Sequence, residues 1–487
     1  MSGATVPWDT QAAHWIGGQW LPSGPAFSST NPADASLIGH APDGGPAEAQ
    51  AAIGAARHAF DTTPWRHSPR LRAQVLLDMA TRLAADAASL ALLLTLENGK
   101  VLRESAGEVE GAASELRYYA GMARSAAGRV VEPAPAVRSL ITHEAAGVVA
   151  IIVPWNAPLI LFVRSLAPAL AAGCTVVVKA APQAALFMHR VAQRMAETEG
   201  LPPGTINIVH EAGSAVAQAF VASPGVDVLS YTGSTAVGKA IMAAAAPQLK
   251  RLSLELGGKA PCVVCEDADL GVAVREILAA GTILSGQQCT AASRVLVHRR
   301  LYADFRDAMA SAMHMLRVGP GHLAENAMGA VIDLANRDRI LRLVDELGEQ
   351  HRVVVRGAPV PGLPMHGAFV SPTLVEVDDP QTPAVQDEHF APLMSLEVFD
   401  DDRGAVALAN ATRFGLGASV WSRDSARAQR IAREIRCGTV WINAHNKLFA
   451  EAEVGGFKES GFGRLHGAEG MHDFLEIKHV YQEIGSL

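Results

Sequence analysis

Apolar positions recur at helical spacing through the first 130 residues. The pattern predicts helices over about Pro46 to Phe60, Ser68 to Leu96 and Leu102 to Ala127, with Asn98-Gly99 as a turn. From Ala145 the pattern changes. Short continuous apolar runs (Gly147 to Val153, Thr175 to Lys179, Ile206 to Val209, Val226 to Thr232) alternate with helical stretches over Pro158 to Ala172, Ala184 to Glu199 and Ser214 to Ala222, and another helix starts at Gly233. Runs without alternating polar residues suit strands buried on both faces, so the order predicts a parallel, doubly wound sheet. A second alternating region begins at Leu252, with strand Pro261 to Cys265, helix Leu270 to Ser285, strand Ser293 to His298, helix Leu301 to Leu316 and further units from Ile332 to about Asn443. It predicts a second α/β lobe. Val137 to Val149 and Phe474 to Tyr481 have strand character but no place in either core, and are read as a projecting arm.

Ala145 to Val163 carries no formal charge over 19 residues, a length that approaches a membrane span. Pro154, Asn156 and Pro158 interrupt it, and an interrupted helix exposes backbone polar groups to lipid; strand, loop and helix is the better reading. Composition narrows the class further. With 487 residues the chain has room for two to four domains, and 49% hydrophobic against 18% charged residues marks it as globular. A net charge of −8 and the lack of any Lys/Arg run disfavour nucleic acid as a partner. Five scattered cysteines suit a reducing compartment, and Met1 to Trp20 reads as no signal peptide, so the expected location is the cytoplasm.

Four local motifs carry candidate chemistry. Ser285-Gly286-Gln287-Gln288-Cys289-Thr290 sets a cysteine among small and polar residues, where backbone N–H groups near Gly286 and Thr290 would favour a thiolate; a structural cysteine is the alternative. Glu255, between Leu254 and the Gly257-Gly258 turn, suits a buried general base or an ordinary solvated carboxylate. Asn156, in Pro154-Trp155-Asn156-Ala157-Pro158, offers an amide to a developing oxyanion, unless the loop is only a proline-braced turn. Gly233-Ser234-Thr235-Ala236-Val237-Gly238-Lys239 opens a helix after a strand, which suits a phosphate; Ala240 replaces the hydroxyl that a P-loop uses for Mg²⁺. Cys262 and Cys265 would point to opposite faces of a strand, and no second pair gives a metal site.

In order, Pro154 to Pro158, Lys179, Tyr231 to Thr235, Leu254 to Lys259, Gly286 to Cys289, Glu388-His389-Phe390 and the glycine-rich Gly455 to Gly461 resemble the NAD(P)-dependent aldehyde dehydrogenase superfamily, over about Trp15 to Tyr481. The resemblance implies a Rossmann-like cofactor lobe (1–122 and 146–257), an α/β catalytic lobe (258–456), and a small β oligomerisation arm and tail (123–145 and 457–487) in a homodimer or homotetramer. It implies Cys289 as nucleophile, Asn156 and the Cys289 N–H as oxyanion donors, and Glu255 as the base that hydrolyses the thioester. It sets Trp155, Lys179, Gly213, Gly233, Ser234, Glu388 and Phe390 against NAD or NADP, with no metal.

Departures from the family pattern matter as well. Ser165 and Leu465 stand where many members carry the Lys and Glu of a proposed proton relay from the base. Ala157 replaces a bulkier residue, which predicts a tunnel for an aromatic or otherwise bulky aldehyde. Arg164, one turn past Leu161, is expected either to pair with a substrate carboxylate or phenolate, as for a semialdehyde, or to serve a structural carboxylate. Pro182 replaces the Glu of NAD-preferring relatives, so NADP is expected to be tolerated within roughly tenfold of NAD. The rivals are a cysteine hydrolase without redox chemistry and a nucleoside triphosphatase. A CoA-acylating enzyme is disfavoured by Glu255.

Overall fold

The computed structural model describes residues 8–125 and 127–485. Residues 1–7 of the segment read as lacking a signal peptide, Ala126 in the third expected helix, and residues 486–487 of the tail lie outside the described residues.

Five strands form the parallel part of the first sheet: β1 (Val148–Ile152), β2 (Thr175–Ala180), β3 (Ile206–His210), β4 (Val228–Thr232) and β5 (Arg251–Glu255), in the spatial order β3-β2-β1-β4-β5. All residues of β1, β2 and β3 are buried, which is why their sequence shows no polar alternation. Successive side chains of β1 face opposite layers. Val149 and Ile151 pack with the core of α1 (Leu102–Ser125), α2 (Pro158–Ala172) and α3 (Ala185–Ala196); Val148 and Ala150 pack with helix Pro46–Thr62 and α4 (Ala215–Ala222). The chain winds from β1 outward to β3, then returns to β4 and β5. The ends of β1 and β4 therefore form the switch point where such sheets bind ligands.

Several expectations are corrected. The sequence pattern opens the second unit at Leu252, but Arg251–Glu255 pairs with β4 from Val228↔Arg251 to Thr232↔Glu255. Antiparallel edge strands His14–Ile16 and Gln19–Leu21, too short to show a period, and Gly461–Phe462 complete this sheet. The single helix expected over Ser68 to Leu96 is two, Pro69–Ala85 and Ala87–Asn98, bent by 70°. Asp86 sits at the break, where Arg190 Nε donates to its carboxylate at 2.7 Å. No single helix among the described residues is long and apolar enough to cross a membrane.

The second sheet holds β6 (Ala260–Val264), β7 (Ala292–His298), β8 (Thr373–Glu376), β9 (Leu393–Phe399), β10 (Gly417–Trp421) and β11 (Thr439–Ile442), ordered β8-β9-β7-β6-β10-β11. All of these pairs are parallel. The two strand-like segments without a core partner pair with each other: Leu475–Glu483 runs antiparallel to Val137–Ala145, and Arg129–Ala134 completes a three-stranded sheet.

Candidate active site

The loop from β1 to α2 carries Asn156. Its geometry comes from a buried charge pair that no local pattern announces: Lys100 Nζ donates to Glu108 Oε2 at 2.6 Å and to the Asn156 carbonyl at 2.8 Å. Glu108, on α1, uses its other oxygen to accept from the Leu159 N–H (2.7 Å) and the Ile160 N–H (3.3 Å), so it caps α2 where Ala157 has no side chain to do so. Both members of the pair are nearly inaccessible, with side-chain exposures of 1% and 4%. Lys100→Met should therefore cost about 3–5 kcal/mol by leaving Glu108 buried and unpaired. Chemical denaturation measures this, and a loss under ~1 kcal/mol would contradict the assigned role.

Asn156 Nδ2 donates to the Gln287 carbonyl at 2.9 Å, which ties this loop to the segment bearing the cysteine and leaves one amide hydrogen for a ligand. Helix α6 (Leu270–Thr282) stops short of the expected Ser285 because Leu284 and Ser285 take φ of 47° and 56°. That strained turn is held from outside. Glu104 Oε1 accepts from the Leu284 N–H at 3.2 Å, and Ser285 Oγ donates to the Gly329 carbonyl at 3.0 Å. Gly286 must be glycine, since a Cβ there would lie 2.3 Å from the Ala391 backbone. The turn delivers Cys289 to a cavity of about 460 Å³ that Asn156 and Glu255 also line.

Burial pushes the Cys289 thiol up to about 12, and the neighbouring carboxylates Glu388 and Glu255 add to this; Arg164 and the Cys289 backbone N–H oppose it. Glu255 ends β5, 3% exposed, and burial raises its carboxyl to about 7 against the pull of Arg164 and Arg464. Its Oε1 has no partner among the described residues. Arg164 Nη2 donates to Thr232 Oγ1 at 3.0 Å and lies 3.9 Å from Glu255 Oε2. Thr232 and Glu255 are register partners at the ends of β4 and β5, so one guanidinium from α2 spans both strand ends. Ala157, Leu161 and Arg164 all line the cavity. The relay positions are otherwise engaged: Ser165 accepts from Ser230 Oγ at 2.9 Å, and Leu465 is core.

At the opposite side, Trp155 and Phe390 meet edge to face at 5.6 Å. Glu388 Oε1 accepts from the Gly258 N–H at 2.9 Å, and burial raises its carboxyl to about 7. Ser234 caps α5 (Thr235–Ala245) through the Val237 N–H, while Gly233 N–H donates to the Glu255 carbonyl at 3.0 Å. Lys179 lies at the end of β2, and Gly213 in the loop from β3 to α4. These groups fit a dinucleotide, because the ends of strands ordered 3-2-1-4-5 converge on them. Lys239, the lysine that a triphosphatase would need, is 60% exposed and pairs with Glu459 at 2.9 Å. Cys262 and Cys265 fall in separate cores on the two faces of the second sheet.

Sequence reasoning missed Lys100, Glu104, Glu108 and Gln287. One signal was available: Glu104, Glu108 and Glu115 recur at intervals of four and seven on one face of α1, where apolar residues are expected.

A model of the aldehyde dehydrogenase family matches residues 20–480. The chain is 36% identical over 474 residues to betaine aldehyde dehydrogenase of Bacillus subtilis (strain 168), covering 96% of each. It is 36% identical over 475 residues to phenylacetaldehyde dehydrogenase of Pseudomonas fluorescens, covering 95% of this chain and 94% of the relative. Its structure matches betaine aldehyde dehydrogenase from Staphylococcus aureus in complex with NAD+ at a TM-score of 0.95 and 34% identity, covering 99% of this chain and 96% of that one.

Proposed function

This chain belongs to the aldehyde dehydrogenase family and is an NAD(P)-dependent oxidoreductase, and from that premise we propose that it oxidises a neutral, bulky aldehyde, preferably aromatic, to the carboxylic acid. The observation that carries the reading is the engagement of Arg164. Its guanidinium is bonded to Thr232 and set beside Glu255, and the other basic group of the cavity, His466, bonds Glu115 at 2.8 Å. Among the described residues each cation lining the cavity already faces a carboxylate, although Arg164 keeps an unpartnered Nε, while Glu104 and Glu451 add carboxyl groups to the lining. A semialdehyde acid would be desolvated there in a lining where carboxyl groups outnumber cations. A quaternary ammonium aldehyde would meet those carboxyl groups but no aromatic cage, since among the described residues Phe449 is the one carbocyclic aromatic lining the cavity.

In this reading the Cys289 sulfur attacks the aldehyde carbon, and the free Asn156 amide hydrogen with the Cys289 N–H receives the oxyanion. A nicotinamide cofactor, when bound, would supply positive charge and a hydride acceptor. Glu255 then takes a proton from the water that hydrolyses the Cys289 thioester, releasing the acid and the thiol. Trp155, Lys179, Gly213, Gly233, Ser234, Glu388 and Phe390 hold the cofactor. The arm, with Val130, Ile477 and Tyr481 exposed, supports assembly of copies into a homodimer or homotetramer.

Steady-state kinetics with phenylacetaldehyde, succinic semialdehyde and betaine aldehyde test the substrate class. We expect kcat/KM for the first to exceed both others by at least about 100-fold. Arg164→Leu should lower activity toward neutral and acidic aldehydes alike, through Glu255. A selective loss for the semialdehyde would give the substrate to the carboxylate reading.

A further inference from the structure

In a sheet of this order the adenosine ribose lies against the end of the second strand, where an acidic residue favours NAD and a cation accommodates the 2′-phosphate of NADP. The position three residues beyond Lys179 is Pro182, so that acid is missing there. The neighbouring strand provides one. β2 and β3 run side by side, with Ala180 paired to His210, and Glu211 follows directly. Glu211 is 1% exposed; its Oε1 accepts from the Val216 N–H at 2.8 Å in the first turn of α4, and its Oε2 is buried with no partner among the described residues. Asp43 closes the same corner, its Oδ1 accepting from the Ala212 N–H at 2.8 Å. Lys179 is 9% exposed, and no side chain among the described residues bonds its ammonium. Burial lowers its pKa, and Glu211, followed by Asp43, acts against that loss of charge.

We propose that Glu211 sets the balance between NAD and NADP: its buried carboxylate neutralises Lys179, which then donates to the ribose hydroxyls but offers little net positive charge to a 2′-phosphate. This rests on the reading of Lys179 as the ribose contact. Pro182 removes one barrier to NADP and leaves it usable, and Glu211 is what keeps NAD ahead.

The test uses the adenosine half of each cofactor, AMP and adenosine 2′,5′-bisphosphate, titrated calorimetrically into the intact enzyme. Glu211→Gln keeps the acceptor for Val216 and the side-chain volume while removing one charge. The bisphosphate should then gain on the order of tenfold over AMP, the scale of one unit charge roughly 10 Å away at an effective dielectric of about 20. The NADP/NAD ratio of kcat/KM should move the same way. Adding Lys179→Met should cancel the gain, and adding Pro182→Glu should restore preference for AMP by returning a carboxylate to the ribose. An unchanged ratio in Glu211→Gln, with AMP bound as in the wild type, would overturn the proposal. AMP binding that is equal in wild type and Lys179→Met would instead overturn the reading of Lys179 beneath it.

Discussion

Cys289→Ser will lower aldehyde oxidation by at least about 1,000-fold while NAD binding, measured by calorimetry, stays within about twofold. The substitution barely changes volume, so the strained turn at Leu284 and Ser285, the glycine at 286 and the Asn156 to Gln287 bond have no reason to move. What changes is acidity. The site already burdens its thiol, pushing it up to about 12, and the positive charge of Arg164, with any that a bound cofactor would add, favours the thiolate. A hydroxyl starts from a much higher pKa and meets the same burial, so those charges cannot ionise it. Residual activity above about one tenth of wild type, with mass spectrometry confirming serine, would remove Cys289 as the nucleophile.

Much of this site was legible because its residues sit at the ends of buried strands or in the first loop after one. Asn156 follows the apolar run of β1, whereas Glu255 showed only as a carboxylate between an apolar residue and the Gly257-Gly258 turn, because the pairing of Arg251–Glu255 with β4 belongs to the sheet. Cys289 was legible from its polar neighbours. Its ionisation was not, because burial is set by elements over 100 residues away in sequence, such as the α2 segment bearing Arg164. The Lys100–Glu108 pair was invisible for a similar reason: a lysine after a turn and a glutamate on a helix each look solvated until the two are packed together beneath the Asn156 loop. The break at Asp86 escaped since apolar periodicity runs through it, and the residue that holds the bend, Arg190, lies on another helix. Arg164 had two readings in the sequence. The register of Thr232 with Glu255 puts two acceptors within its reach, and that pairing belongs to the sheet rather than to the helix that carries it.

Glu255→Gln should separate the two halves of the reaction. Hydride transfer needs Cys289 and the oxyanion donors, so a rapid mix of variant, NAD and aldehyde should give a burst near one reduced cofactor per active site. Hydrolysis needs a group that takes a proton from water, and an amide cannot; steady-state turnover after the burst should fall by about 100- to 1,000-fold. Loss of the burst together with turnover would show instead that Glu255 acts before the thioester forms. In the wild type the same group sets the acid limb of the rate. Burial, the largest influence, disfavours the carboxylate and raises its pKa to about 7, and the base works only when deprotonated. Turnover should therefore climb as pH rises through about 7 and level off above it, and the burst amplitude should not follow that limb. Arg164 pulls the other way from burial, so Arg164→Leu takes away a stabilising charge and should move the limb to higher pH. The direction of that displacement is decisive: a limb that stayed in place or moved to lower pH would mean that Glu255 is not the titrating base.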